Sequence, residues 1–170
     1  MTRAWSALLA VLILAAPLSA EVSAQGAGRW LEEFTERPAE WGGSIRYAIL
    51  DAGRGETLQL GCTANRIERV LVVFRQSQGV PAPVAPSPDV RYAIDGGAMQ
   101  PSDGRLFEPG SIEVPRGAES ARLTKKLAKA SRFRVEASRG DGGWMAADFD
   151  LSGIERVLPR MLDACGVELR

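Results

Sequence analysis

The sequence predicts a mainly β domain, an antiparallel β-sandwich or flattened barrel with a short helix near 119–130 and a C-terminal helix near 153–165. Three observations predict it. Apolar residues recur at every second position through most of the chain, the signature of half-buried strands. Clusters of Gly, Pro, Asp and Ser cut those runs into roughly seven or eight short strands. Only two stretches change to steps of three and four, the spacing of an amphipathic helix.

The chain opens with "MTRAWSALLAVLILAAPLSAEVSA": a basic residue, an apolar run from Ala7 to Ala16, and small residues before two candidate cleavage points, after Ala20 or after Ala24. That pattern is a secretory signal peptide at 1–24, leaving a single exported β-rich domain at 25–170. The apolar run is shorter than the ~20 residues a spanning helix needs, and Pro17 interrupts its end, so no stable membrane insertion is expected after cleavage.

In the mature part, Ile45, Tyr47 and Ile49 alternate in "SIRYAIL". In "ETLQLGCT", Leu58, Leu60 and Cys62 share one strand face, the buried one. "RIERVLVVFR", from Arg66 to Arg75, is a longer apolar strand. "GVPAPVAPSPD", residues 79–89, holds four prolines and is expected to be an exposed, extended loop, because proline cannot donate to a sheet ladder. "VRYAID", from Val90, runs into the turn Asp95-Gly96-Gly97. "RLFE" and "SIEV" are two further short strands. "GAESARLTKKLAKAS" reads as the first helix, with Leu123, Leu127 and Ala130 inward and Arg122, Lys125, Lys126 and Lys129 outward. In "RFRVEA", Phe133 and Val135 point inward; in "GWMAADFDL", Met145, Ala147, Phe149 and Leu151 do. The final helix puts Ile154, Val157, Leu158, Met161, Leu162 and Cys165 on one stripe. Ser152 and Glu155 have capping-box spacing, and Gly166 is placed to end the helix. Pro159 removes one hydrogen bond and crowds the Glu155 carbonyl, which predicts a kink or a tight first turn.

Cys62 and Cys165 therefore both face the core, and since two cysteines in an exported chain are usually one disulfide, they are expected to pair there, the alternative being two separate buried thiols. Closing a loop of about 103 residues restricts the unfolded chain by roughly 4.7 kcal/mol in the chain-entropy account. No Cys-x-x-Cys spacing suggests a redox pair.

Composition excludes several activities. Formal net charge is zero, with 21 basic and 21 acidic residues, which argues against nucleic-acid binding. Histidine is absent, so Ser-His and Cys-His nucleophiles and the usual His-rich zinc sites are excluded, and no metal or other cofactor is expected.

The order "LQLGC", "VRYAIDGG", "ARLTKKLAKASRFRV" and "ADFDLSGIERVLPRMLDAC" resembles a group of small exported bacterial proteins that includes the type VI secretion accessory proteins called VasI or TagO. It has a weaker likeness to the invasion-associated locus B proteins. Ala93, Pro159 and the Pro-rich stretch depart from the group's pattern. The resemblance implies a periplasmic or secreted accessory protein with a protein partner in the cell envelope and no catalytic residues to carry over.

Three candidate sites stand beside that expectation. Asp148 and Asp150 flank Phe149 on one side of a strand, where they could act as a glycosidase-like acid/base pair; the alternative is a solvated face before a helix N-terminus. Arg122, Lys125, Lys126 and Lys129 could hold an anionic partner, or could simply be the solvated face of a helix. Trp30, Trp41 and Trp144 could form a carbohydrate platform, or could pack at the core or its rim. The expected function is a non-catalytic accessory or interaction protein, the alternative a glycan-binding or glycan-hydrolysing envelope protein.

Overall fold

The structure, a computed structural model, describes residues 29–35, 44–74, 84–115 and 117–168. The predicted signal peptide, Trp41 and the first half of the Pro-rich stretch lie outside them. In chain order the elements are β1 (Arg29–Thr35), β2 (Ile45–Asp51), β3 (Thr57–Thr63), β4 (Arg66–Val73), β5 (Val90–Ile94), β6 (Gln100–Ser102), β7 (Arg105–Glu108), β8 (Ser111–Glu113), α1 (Ala118–Leu127), β9 (Arg132–Ser138), β10 (Trp144–Asp150) and α2 (Ile154–Ala164). They form two antiparallel sheets, β1-β2-β3-β4-β8-β7 and β10-β9-β5-β6, which do not close into a barrel.

The main core lies between the inner faces of the two sheets. Leu58, Leu60, Val70 and Val72 enter it from the larger sheet, and Phe133, Val135 and Phe149 from the smaller. The Phe133 ring lies 5.9 Å from Tyr92 and 6.4 Å from Phe149, centroid to centroid. Both spacings fall within the range of favourable aromatic pairs. Ile67 and Val70 are an odd number of residues apart, yet both reach this core. A bulge allows it: Gly61 pairs with Arg69 and Cys62 with Ile67, so Glu68 is the extra residue and the inward parity resets.

On β2 the alternation is present, but both faces are apolar. Ala48 and Leu50 enter the main core, whereas Ile45 and Tyr47 join Leu71 in a separate cluster with Ile49 packed against it. The pattern "SIRYAIL" shows the more conspicuous set, which is the outer one.

The described part of the Pro-rich stretch is tied to the end of β9. Val84 bridges Arg139, the Ala85 N–H donates to the Ser138 carbonyl at 3.1 Å, and the Ser138 N–H donates to the Asp89 carbonyl at 3.0 Å. At the other end of the same sheet, Asp95 accepts the Ser131 and Arg132 N–H groups, both at 2.8 Å, and so fixes the entry to β9.

Helix α2 starts differently from the capping box expected at Ser152 and Glu155. The N-cap is Gly153, at φ 91°, with no side-chain cap. Ser152 instead turns back to Asp150, donating its hydroxyl at 2.6 Å and its N–H at 2.9 Å to Oδ1. The Ser152 hydroxyl and N–H both donate to Asp150, and the Asx-type turn this makes replaces the cap, in which the hydroxyl oxygen would accept from the helix amides. Pro159 does not end the helix. It and Glu155 lie on the exposed face, where water can reach the carbonyl that loses its partner. The C-terminus is a Schellman motif: the Val167 N–H donates to the Leu162 carbonyl at 2.8 Å, and the N–H of Gly166, at φ 69°, donates to the Asp163 carbonyl at 2.9 Å.

The disulfide joins Cys62 to Cys165, with Cα atoms 6.2 Å apart. Beside it the Asn65 N–H, in the β3–β4 turn, donates to the Cys165 carbonyl at 2.7 Å. The other end of α2 is held by the Trp30 indole N–H, which donates to the Ser152 carbonyl at 3.0 Å. The helix thus spans from β1 to the β3–β4 turn. No helix among the described residues is long and apolar enough to cross a membrane.

Candidate functional site

The antiparallel register of β9 and β10 sets Arg134 opposite Asp148 and Arg132 opposite Asp150. Because strand residues alternate, these four share the outer face, behind Phe133 and Phe149. Arg134 donates through Nη1 to Asp148 at 2.8 Å and through Nη2 to Glu136 at 2.8 Å. Arg91, on β5, donates to the other Glu136 oxygen at 2.6 Å, and its guanidinium carbon stands 4.1 Å from the Trp144 ring centroid. One network therefore runs from Trp144 through Arg91, Glu136 and Arg134 to Asp148.

Glu136 is buried, and the hydrogen bond from Arg134 holds its carboxyl below the usual range, with Arg91 adding to the effect against the opposing effect of burial. Arg134 is raised in turn, chiefly by the same hydrogen bond. The folded state therefore favours the ionised carboxylate, and its contribution to stability is present above the ordinary value of 4.5. As pH falls through that value the unfolded chain takes up the proton first, and the contribution is gone below the depressed folded value. Glu136→Gln should cost about 1–3 kcal/mol at pH 7 and less at pH 3, which lies below the ordinary value where the loss begins. Urea melts of both proteins at the two pH values measure this; an equal cost at both would contradict it.

Asp150 is also held below the ordinary carboxylate value, first by the Ser152 hydroxyl, then by the Ser152 backbone N–H, with a smaller contribution from Arg132. Asp148 and Asp150 both line a cleft of about 960 Å³. It is also lined by the end of β2 and the β2–β3 turn, at Asp51 and Arg54, and by the β5–β6 turn, at Gly96, Gly97 and Met99. Arg29 lines it too. The predicted carboxylates thus share a concave site. A glycosidase pair, however, needs one carboxyl protonated near neutral pH, which requires a raised value. Asp150 is shifted in the opposite direction and is suited to an acceptor's role. No cluster of His, Cys, Asp and Glu among the described residues could hold a metal ion.

The basic stripe lies elsewhere. Arg122, Lys125 and Lys126 are exposed on α1, which ends at Leu127, short of the expected 130, and leaves Lys129 exposed in the turn beyond it; Arg122 is ion-paired with Glu119. Lys125 borders a separate hollow with Asn65, Arg66 and Glu168. The tryptophans do not assemble a platform among the described residues. Trp30 and Trp144 sit at opposite ends of β10, the first with its N–H engaged and the second 45% exposed beneath Arg91.

Sequence reasoning missed the arginines of the cleft. The alternation of Arg132 and Arg134 in "RFRVE", matching that of Asp148 and Asp150, was the available signal for two of them. Arg29 and Arg54 come from distant elements and leave no local trace.

No family model and no curated protein matches the chain, so neither comparison supports the expected likeness to the type VI accessory group. Among solved structures it is similar to invasion associated protein B from Bartonella henselae, at 17% identity and a TM-score of 0.40, over 71% of this chain and 92% of that one.

Proposed function

We propose that this chain is an exported, non-catalytic accessory protein of the bacterial cell envelope that works by binding. The observation that carries the reading is the state of the cleft. Asp148 accepts from Arg134 and Asp150 from Ser152, so both cleft carboxyl groups are held in place as hydrogen-bond acceptors by their own neighbours among the described residues. A domain-spanning disulfide and the leader pattern agree with a periplasmic or secreted location. The resemblance of "LQLGC" and "ADFDLSGIERVLPRMLDAC" to the type VI accessory group suggests service to a secretion system.

In the producing cell, the mature chain should be recovered from the periplasm beginning at Gln25 or Glu21, and in-cell cross-linking should capture a defined envelope protein. A membrane-bound chain that retains Met1 would overturn the location. The alternative reading, a glycan hydrolase, is favoured by the shared cleft of Asp148 and Asp150. Incubation with peptidoglycan decides it: release of reducing ends that Asp150→Asn abolishes would replace the binding reading.

A further inference from the structure

The cleft contains two complementary sets of groups. Its three aspartates are engaged: Asp51 accepts the Gly53 N–H at 2.8 Å, Asp148 accepts from Arg134 and Asp150 from Ser152. Each carboxylate keeps further acceptor capacity, since ionised oxygens offer about four lone-pair sites. Of the four arginines, only Arg134 is ion-paired. The guanidiniums of Arg29, Arg54 and Arg132 make no hydrogen bond and no close ion pair among the described residues, Arg132 acting on the facing Asp150 only through space, and all three residues are exposed at the cleft. They come from the start of β1, the β2–β3 turn and the start of β9, so the fold gathers them from three distant points.

Uncommitted guanidiniums recognise carboxylates or phosphates through paired N–H groups. The fixed aspartates among them would repel a dense polyanion but accept O–H donors. The floor, by contrast, is apolar at Ala93 and beside Phe149, with Met99 on the rim. An anionic group for arginine, hydroxyls for aspartate and C–H faces for the floor are combined in an acidic sugar. An acidic peptide brings carboxylates without the dense hydroxyls. The volume, about 960 Å³, suits a ligand of several rings better than a lone inorganic anion.

We propose that this cleft binds an acidic saccharide, with Arg29, Arg54 and Arg132 holding its anionic groups and Asp148 and Asp150 accepting its hydroxyls. The proposal rests on the reading of the domain as a binder, and it names the ligand class of that site.

The test is calorimetric titration of the chain, expressed from its full reading frame and purified oxidised, with trigalacturonate. Saturable, salt-sensitive binding is expected, with Arg54→Gln and Arg132→Gln each weakening it about tenfold. Thermal stability should hardly change, because exposed charges contribute little to folding. The triple change Lys125→Gln, Lys126→Gln and Lys129→Gln, outside the cleft, should leave binding intact. Maltotriose, triglutamate and inorganic phosphate should not compete at equal concentration. No binding of trigalacturonate, equal competition by triglutamate or phosphate, or indifference to both arginine changes would overturn the proposal. Envelope cross-links that persist without trigalacturonate binding would sink this inference and leave the accessory-protein reading standing. Trigalacturonate that binds and is cut would do the reverse.

Discussion

Replacing Cys62 or Cys165 by alanine should destabilise the oxidised protein by about 2–5 kcal/mol, and replacing both should cost no more than the larger single change. The two residues act through one bond, so the second substitution removes nothing that the first left in place. Cys62 sits fully buried on the inner face of β3, and Cys165 follows the last turn of α2, so the link ties the helix to the larger sheet. An isolated helix of 11 residues is marginal in water even without a proline, and α2 carries Pro159. It depends on its buried stripe and on this link. Denaturant melts of the three variants measure the costs. Thiol titration of the denatured, unreduced chain checks the premise: two free thiols would show that no bond exists.

Truncating Phe133 to alanine should cost about 3–5 kcal/mol, the range for removing a large buried aromatic. Phe133 is 1% exposed and lies between Tyr92 and Phe149, so its loss opens a cavity at the centre of the smaller sheet and breaks two ring contacts. Since a domain of this kind is stable by only ~5–15 kcal/mol, the variant should melt far earlier or fail to accumulate. A melting temperature close to the parent's would mean that the site collapses around the deletion. Phe133→Leu, which keeps most of the volume, should recover much of the loss.

What could be read in advance follows from how local each determinant is. Leu58, Leu60 and Cys62 lie within five consecutive residues, and the α2 stripe within twelve, so two periodicities sufficed to put both cysteines in the core and to pair them. Assigning strands to sheets was not possible on that basis, because "RLFE" and "SIEV" have no feature that sends them to β4 rather than to β5. The capping box failed through a competition that spacing does not reveal: Asp150, two residues before Ser152, accepts the hydroxyl and N–H of Ser152 and turns that side chain away from the helix amides. The common side of Asp148 and Asp150 follows from their separation by two. Their partners do not, since setting Arg132 and Arg134 opposite them needs the β9–β10 register, and bringing Arg29 and Arg54 to the cleft needs the whole fold.

The order of strands has a kinetic consequence. The chain lays down β1 to β4 in one sheet, moves to the other for β5 and β6, returns for β7 and β8, and leaves again for β9 and β10. Neither sheet is a continuous stretch of sequence, so no half of the protein can complete its sheet before the other half has arrived. Domains dominated by such non-local pairing typically fold in milliseconds to seconds, because loop closure comes before the contacts that compensate for it. The disulfide removes part of that search: in an oxidised chain β3 and α2 are never far apart, even when unfolded. Refolding from denaturant should therefore be faster with the bond intact than after its reduction, and stopped-flow fluorescence of the tryptophans would time both.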